Sequence, residues 1–289
     1  MTKLAILSDI HGNSIALKAV LTDLDALGGA DHIIVLGDLA AFGPDPNGVL
    51  SLLQSRQQIS VVRGHTDRCL IEAKCQFAFS SRGGKDPLQA GFFWTAQQLG
   101  HTGLRFLANL PARQLLHVKE GQVILAVHGS PRSDEENISL ETSDIEFLSM
   151  SGNIFYDLLL CAHTHIPFER IVTGRRVINA GSVGLPFDGD RRASYAVVHL
   201  EAHNKSRVEF RRVAYDVERV IDDLLTIDHP TATMSAYDLR AAQPLTQRFI
   251  HDAGTRWPQK QRRKWSYPMT NICYIQTPNT FSAIRSSIL

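Results

Sequence analysis

Acidic and histidine side chains recur where apolar segments of this chain end. Asp9 and His11 follow the run KLAIL, and Asp38 follows HIIVLG. Histidine also follows three later runs, ISVVRG, QVILAV and YDLLLCA. Because parallel strands deliver the residues at their carboxyl ends to one edge of a sheet, we expect these side chains to meet. The full set is Asp9, His11, Asp38, His65, His128, His163 and His165.

Imidazole and carboxylate together suit Mn, Fe, Zn, Ni or Co as ligands. A single ion needs three or four ligands, and this set holds seven. Two ions roughly 3.5–4 Å apart, bridged by one carboxylate and a hydroxide, would use them all. Asp38 is the natural bridge because it follows a central strand between the other pairs. Any one histidine alone is more simply a turn or core residue, but the combination predicts a site for two divalent transition-metal ions.

The elements that position these residues begin as an alternation of strands and helices. Three strands are expected at 3–8, 32–38 and 59–64, with a helix from Ser14 and another over 48–56 between them. This alternation predicts parallel βαβ units. Residues 70–116 are expected to be mostly helical, including PLQAGFFWTAQQLG and TGLRFLANLP.

Strands return in the second half of the chain. The last three alternate more clearly and are joined by short turns, so they are expected to form an antiparallel second sheet. Two helices are expected after them, near 216–227 and near 237–252. The five strands are expected at 122–130, 156–165, 175–182, 194–201 and 207–215.

Length and composition indicate an ordinary globular protein. The chain has 289 residues, 44% of them hydrophobic and 20% charged. No apolar run approaches the ~20 residues that span a bilayer, and the first apolar stretch is too short for a signal-peptide core. The four cysteines show no paired spacing, so a cytoplasmic protein with reduced thiols is expected.

The C-terminal segment differs from the rest in charge. Residues 255–289 carry six basic residues and no acidic one, whereas residues 1–254 carry 24 basic and 29 acidic residues. We therefore expect one domain over 1–254 and a separate basic tail over 255–289. The tail is interpreted either as solvated and partly disordered, or as an arm that touches nucleic acid or a partner. The sequence leaves the oligomeric state open.

Several of these segments carry a resemblance to a known family. SDIHGN, LGDLAAFGPDP, VVRGHTDR, VHGSPR and CAHTHIPF resemble the successive motifs of the calcineurin-like metallophosphoesterases. The segment INAGSVGLPFDGDRRASYAVV is similar to the one that closes the site in compact bacterial members. The resemblance covers about residues 3–228 and leaves out the tail.

The resemblance implies a four-layer α/β/β/α sandwich, with two mixed sheets packed face to face, flanked by helices, and a dinuclear site at the strand C-terminal ends. By motif position, one metal would be held by Asp9, His11, Asp38 and His165. The other would be held by Asp38, the residue after Gly64, His128 and His163. Members hydrolyse phosphomonoesters or phosphodiesters by in-line attack of a metal-bound hydroxide. A small phosphate-ester or nucleotide substrate is therefore expected.

Two residues of VVRGHTDR depart from the family pattern. His65 stands where asparagine usually ligates the second metal, and Thr66 stands where many members have a proton-donating histidine. Either His65 substitutes as a ligand, or it swings away and leaves a weak second site. In the second case the protein would be a metal-binding scaffold or regulatory module rather than an active enzyme. A hydroxyl cannot act as a general acid near neutral pH, so Thr66 favours good leaving groups and tilts the expectation toward phosphodiesters.

Three other polar residues have two interpretations each. Asn13 is expected to cap a helix, with a contact to substrate phosphate as the alternative. Arg132 either binds a phosphate oxygen or lies solvated in its loop. Asp67 is expected to orient its loop by accepting hydrogen bonds from backbone N–H groups.

Overall fold

The computed structural model describes residues 1–77, 86–118, 121–201, 206–244 and 272–275. The helices are α1 (Ser14–Ala26), α2 (Pro46–Gln54), α3 (His65–Phe77), α4 (Pro87–Asn109), α5 (Asp144–Ser151), α6 (Val217–Thr226) and α7 (Ala232–Ala241). The strands are β1 (Thr2–Leu7), β2 (His32–Val35), β3 (Ile59–Val61), β4 (Arg113–Val118), β5 (Val123–Val127), β6 (Leu158–Cys161), β7 (Phe168–Val172), β8 (Arg175–Asn179), β9 (Ala193–Leu200), β10 (Ser206–Val213) and β11 (Ile272–Ile275).

The strands form two mixed sheets. The first sheet has the order β10-β9-β1-β2-β3, with β1, β2 and β3 parallel and β9 antiparallel to both β1 and β10. The second has the order β11-β4-β5-β6-β8-β7. In it β5, β6 and β8 are parallel to one another. The carboxyl ends of β1, β2, β5 and β6 therefore supply most of the predicted ligands.

Alternating side chains bind the two sheets together and attach the helices. Leu4 and Ile6 of β1 pack in one cluster with Ile124 of β5 and Leu160 of β6, so the two sheets lie face to face. Successive strand residues point to opposite faces, and Leu7 packs instead in a cluster with α1, α2 and α4. The outer face of the second sheet packs with residues of α5. The predicted four-layer α/β/β/α sandwich is confirmed.

The predicted second sheet was wrong in its membership. Of the three strands expected to pair with one another, β8 lies in the second sheet, parallel to β6, whereas β9 and β10 extend the first sheet. The physical reason is burial. β9 runs between β1 and β10, and seven of its eight residues are buried. Alternation along a strand indicates its faces but does not indicate which neighbour it pairs with.

Several other elements differ from the sequence-based expectation. The two predicted helices over 87–111 are confirmed as the halves of α4, which breaks at Gly100 (φ 59°). β4 begins at Arg113, so the end of the stretch expected to be mostly helical, 70–116, is strand, and β7 and α5 were not predicted. α7 begins five residues before the predicted helix near 237–252, whose end lies outside the described residues. Among the described helices, none combines the length and apolar character needed to cross a membrane.

Part of the basic tail joins the fold. The four residues of β11 pair in parallel with β4, from Ile272 opposite Leu115 to Ile275 opposite Val118. The six basic residues, on which both interpretations of the tail depend, lie outside the described residues.

Candidate metal centre

The structure brings all seven predicted ligands together at one edge of the two sheets. The turns after β1 and β2 are joined by backbone hydrogen bonds, from Asp9 N to Gly37 O (3.1 Å) and from His11 N to Asp38 O (2.9 Å). The side chains form three groups whose ligand atoms lie within 4.8 Å of one another. These groups are Asp9 with His11 and His165, Asp38 with His65 and His163, and Asp9 with Asp38 and His128.

Five of the seven residues have a left-handed backbone. This conformation brings Cβ close to the following carbonyl and costs an L-residue roughly 1–2 kcal/mol. Such strain persists only where the surrounding structure enforces it, and it is typical of functional sites. The five φ angles are 51° for Asp9, 50° for His11, 54° for Asp38, 70° for His163 and 59° for His165.

Backbone carbonyls set the protonation of three of the histidines. The Nδ1 atoms of His11, His128 and His165 lie 3.2, 2.7 and 2.5 Å from the carbonyl oxygens of residues 41, 36 and 185. A carbonyl only accepts, so each Nδ1 carries a proton, and in neutral His11 and His165 the Nε2 presents a lone pair. The Nε2 atoms of His11 and His165 are 3.2 Å apart. Two lone pairs at this distance repel each other, and a cation bound to both nitrogens would remove the repulsion.

Asp9 shows the same need for a cation. Its carboxylate is fully buried, and neither oxygen has a hydrogen-bond partner among the described residues. Burial, with a further contribution from the charge of Asp38, raises the pKa of Asp9 to about 8. An unpaired buried carboxylate is strongly unfavourable, and coordination of a metal would remove that penalty. The donor set therefore fits divalent transition-metal ions.

Asp38 lies between the groups. Its Oδ1 accepts a hydrogen bond from Thr66 N (2.8 Å) and lies 3.4 Å from His128 Nε2. Its Oδ2 is 3.7 Å from His11 Nε2. Burial opposes ionisation of Asp38, but His128 and His11 outweigh it and hold its pKa well below the usual value. Asp38 therefore belongs to two of the three ligand groups.

Most of the imidazoles are neutral, which is the form that binds metal. Burial lowers the pKa of His11 to about 4, that of His163 to about 3, and that of His165 well below its usual value. His128 differs, because the attraction of Asp38 outweighs burial and raises its pKa to about 10. A metal bound through His128 would therefore displace a proton near neutral pH.

The His65 side chain points into the site. It opens α3, and its ring packs edge-on against His163 with centroids 5.4 Å apart. Thr66, the next residue, is buried, and its hydroxyl has no hydrogen-bond partner among the residues described. His65 therefore lies within ligand distance of Asp38 and His163, and its role as a metal ligand stays a prediction.

Close backbone approach explains the glycine before His65. A Cβ atom on Gly64 would overlap the Asp38 carboxylate, and Gly37 has a φ of 91° beside it. Asp67 then holds the turn by accepting hydrogen bonds from the N–H groups of Leu39 (2.9 Å) and Gly64 (3.0 Å). The predicted loop-orienting role of Asp67 is confirmed.

The segment after β8, whose resemblance implied that it closes the site, supports the ligands, although the contact of Phe187 with His165 was not predicted. Ser182 Oγ donates to the Asp9 carbonyl (2.7 Å) and accepts from Leu185 N (2.7 Å), whose own carbonyl meets His165. The Phe187 ring stacks on His165 with centroids 4.3 Å apart and planes 11° apart. A polar and aromatic run directly after an apolar strand was the available signal.

The two predicted substrate contacts lie outside the three ligand groups. Asn13 Oδ1 accepts from Ala16 N (3.0 Å) as the cap of α1, and its Nδ2 donates to Gly184 O (3.0 Å). Arg132 is paired with Glu136 through Nε (2.9 Å) and donates to Ser149. The helix-capping role of Asn13 is confirmed, and contact of either residue with substrate stays a prediction.

Known proteins resemble this chain in sequence and in fold. An uncharacterized protein of Methanocaldococcus jannaschii is 29% identical over 237 residues, which are 77% of this chain and 91% of that protein. The crystal structure of a metallophosphoesterase from Sphaerobacter thermophilus superposes with a TM-score of 0.66 at 28% identity, covering 83% of this chain and 99% of that one. A hypothetical protein from Pyrococcus horikoshii has the same fold, with a TM-score of 0.72 at 23% identity over 84% of this chain and all of that one.

The family assignment rests on most of the chain. Residues 2–203 match the calcineurin-like phosphoesterase superfamily domain, a span that contains every residue of the three ligand groups. The chain belongs to the calcineurin-like phosphoesterase superfamily.

Proposed function

We propose that this protein is a metal-dependent phosphoesterase that uses two divalent transition-metal ions and favours phosphodiesters. Membership of the superfamily supports the reaction class. The observation that carries the proposal is that the candidate ligands form three overlapping groups, two of which contain Asp38 and two of which contain two histidines each. A single ion could not be bound by all of these ligands, and the remaining histidines would then have no role as ligands.

The residues divide between the two ions as follows. Asp9, His11 and His165 would hold one ion, His65, His128 and His163 the other, and Asp38 both. When bound, such ions activate a water for in-line attack at phosphorus and stabilise the charge that grows on the phosphate oxygens. The protein contributes neutral imidazoles, fixed by backbone carbonyls, and a shared carboxylate whose charge is retained despite burial.

Substrate preference follows from Thr66. Its backbone N–H donates to Asp38, and its buried hydroxyl cannot protonate a leaving group near neutral pH. Esters whose leaving group departs without a proton should therefore react faster than alkyl esters. Aryl phosphodiesters and nucleotide esters that release a phosphate meet this condition.

His65 bears on both the metal and the alternative function. An imidazole nitrogen is a better ligand for transition metals than an amide oxygen, so His65 favours Mn, Fe, Zn, Ni or Co over Mg. A scaffold with a crippled second site would require the His65 ring to turn away from the centre. The ring instead lies with Asp38 and His163, which favours the enzyme.

Metal counting with an activity assay tests the proposal. The metal-free protein would be reconstituted with Mn²⁺, and bound metal would be measured per chain alongside hydrolysis of bis(nitrophenyl) phosphate and nitrophenyl phosphate. We expect two metals per chain and faster turnover of the diester. An Asp9→Asn variant purified in parallel controls for contaminating phosphatases. One metal or none per chain, with no turnover on any metal, would contradict the enzyme proposal.

A further inference from the structure

Two of the residues proposed to hold the second ion lie on segments that are not strands. His65 opens α3, and His128 begins the segment 128–137 that follows β5. The His128 carbonyl accepts a hydrogen bond from Ala162 N (2.7 Å), and Thr66 N beside His65 donates one to Asp38 (2.8 Å), but neither contact joins the two segments to each other. The residue one helical turn beyond His65 is Arg68, and positions three apart share a helix face.

Arg68 joins the two segments through a largely buried ion pair. Its Nε donates to Asp134 Oδ2 (2.8 Å) and its Nη2 donates to Asp134 Oδ1 (3.3 Å), so the contact is bidentate. The Asp134 side chain is 6% exposed and that of Arg68 is 19% exposed. Bidentate arginine–carboxylate pairs fix orientation as well as distance. Screening by solvent is weak at this burial, unlike that of an ordinary surface pair.

We propose that Arg68 and Asp134 act as a positioning clamp that sets the distance between His65 and His128 for the second metal. The inference rests on the proposed two-metal function. Neither clamp residue belongs to a ligand group, so each acts through the histidine on its own segment. The first ligand group, by contrast, is supported by Ser182 and by the backbone carbonyls.

The clamp predicts a selective loss of second-metal affinity. In the variant Arg68→Met, the metal-free protein titrated with Mn²⁺ by calorimetry should bind its second equivalent about 10–100-fold more weakly, as is typical when support of a metal ligand is lost. The first equivalent should change by less than about threefold. Asp134→Ala should reproduce the split. Because Arg68 also donates to Glu135 of the same segment, Arg68→Met should lose at least as much as Asp134→Ala, and the double variant should lose no more than Arg68→Met.

Arg170→Met is a matched control. The Arg170 side chain is 15% exposed, and it too joins two elements, through Asp144 (2.7 Å) and the carbonyl of Thr142 (2.6 Å). It lies in β7, and none of the residues to which it donates belongs to a ligand group. This variant should lower the melting temperature while leaving the ratio of the two metal affinities unchanged.

The outcomes separate the clamp from the proposed function. A wild-type protein that binds fewer than two metals overturns both. A wild-type protein that binds two, with Arg68→Met binding both as tightly, overturns the clamp alone. So does an Arg170→Met variant with the same selective loss, since the effect would then be general. If Arg68→Met does not fold, Arg68→Lys keeps the charge without the bidentate geometry and should still weaken the second metal; unchanged binding in it also overturns the clamp.

Discussion

The side chains proposed for the two ions, leaving aside the shared Asp38, form two sets of three that are built by different means. Asp9, His11 and His165 are all buried and all have left-handed backbones at the ends of strands. In the other group, His65 and His163 are only partly buried, and His65 is the first residue of a helix. The first group is therefore set by the sheets, and the second is partly set by a helix end.

The surroundings also give the first group more support than the second. Behind the first group, Phe187 stacks on His165, and Leu185 packs in an apolar cluster with α6 and α7. Beside the second group lies the ion pair of Arg68 with Asp134. Preorganised ligands bind with less reorganisation, so we expect the first metal to bind more tightly. The sequence departs from its family at the group with less support.

Asp38→Asn tests what the two groups share and should have the largest effect. The amide removes the charge that both groups face, although it keeps the shape of the side chain. We expect kcat to fall by at least about a hundredfold, the effect of losing one electrostatic contact at a reacting centre, and both metals to bind more weakly. Activity against an aryl phosphodiester and metal content would be measured together. Asp45→Asn is the control, since Asp45 caps α2 and asparagine caps as well. Weakening of one metal alone would contradict a bridging role for Asp38.

Substitution of His65 tests the difference between the groups. His65→Ala should reduce the affinity for the second metal about 10–100-fold and leave the first within a small factor. His65→Asn, which restores the ligand usual in the family, should retain two metals and activity but shift the metal preference toward Mg²⁺. Activity of both variants across Mg²⁺, Mn²⁺ and Zn²⁺ would be compared. Higher activity in both, with every metal, would mean that His65 blocks the site.

The sequence predicted the site better than the sheets around it. Each ligand follows an apolar run, and a parallel strand brings its end to the shared edge regardless of its neighbours. Sheet membership is different, because β9 is buried on both sides and its pattern fits either sheet. The pairing of β9 with β1 is a contact between distant parts of the chain. No local pattern specifies it.

The supports of the site were hidden for a related reason. Phe187 and Arg68 act through contacts with residues far along the chain, His165 and Asp134. α5, in contrast, had a local signal that was missed: Ser143 caps it by accepting from Glu146 N, and serine followed three residues later by glutamate is typical of a helix start.

The smallest expected effect concerns the α6–α7 region, which packs with Leu185 behind the first group. It is a change in the pH dependence of stability. His229 lies buried between α6 and α7, where its Nδ1 accepts from Thr231 N (3.1 Å) and its ring meets Trp94. Burial lowers its pKa from 6.5 to about 4. Between these values the unfolded chain binds a proton that the folded protein does not, so stability falls as pH falls.

His229→Asn should remove that part of the pH dependence, because the amide oxygen can accept from Thr231 N and does not titrate. Urea unfolding of the metal-free protein at pH 7 and pH 5 would be compared. We expect the wild type to lose about 1–2 kcal/mol more than the variant over this range. His101→Asn, at an exposed position of α4, should follow the wild type. Parallel losses in wild type and His229→Asn would show that His229 titrates in the folded protein as it does in the unfolded chain.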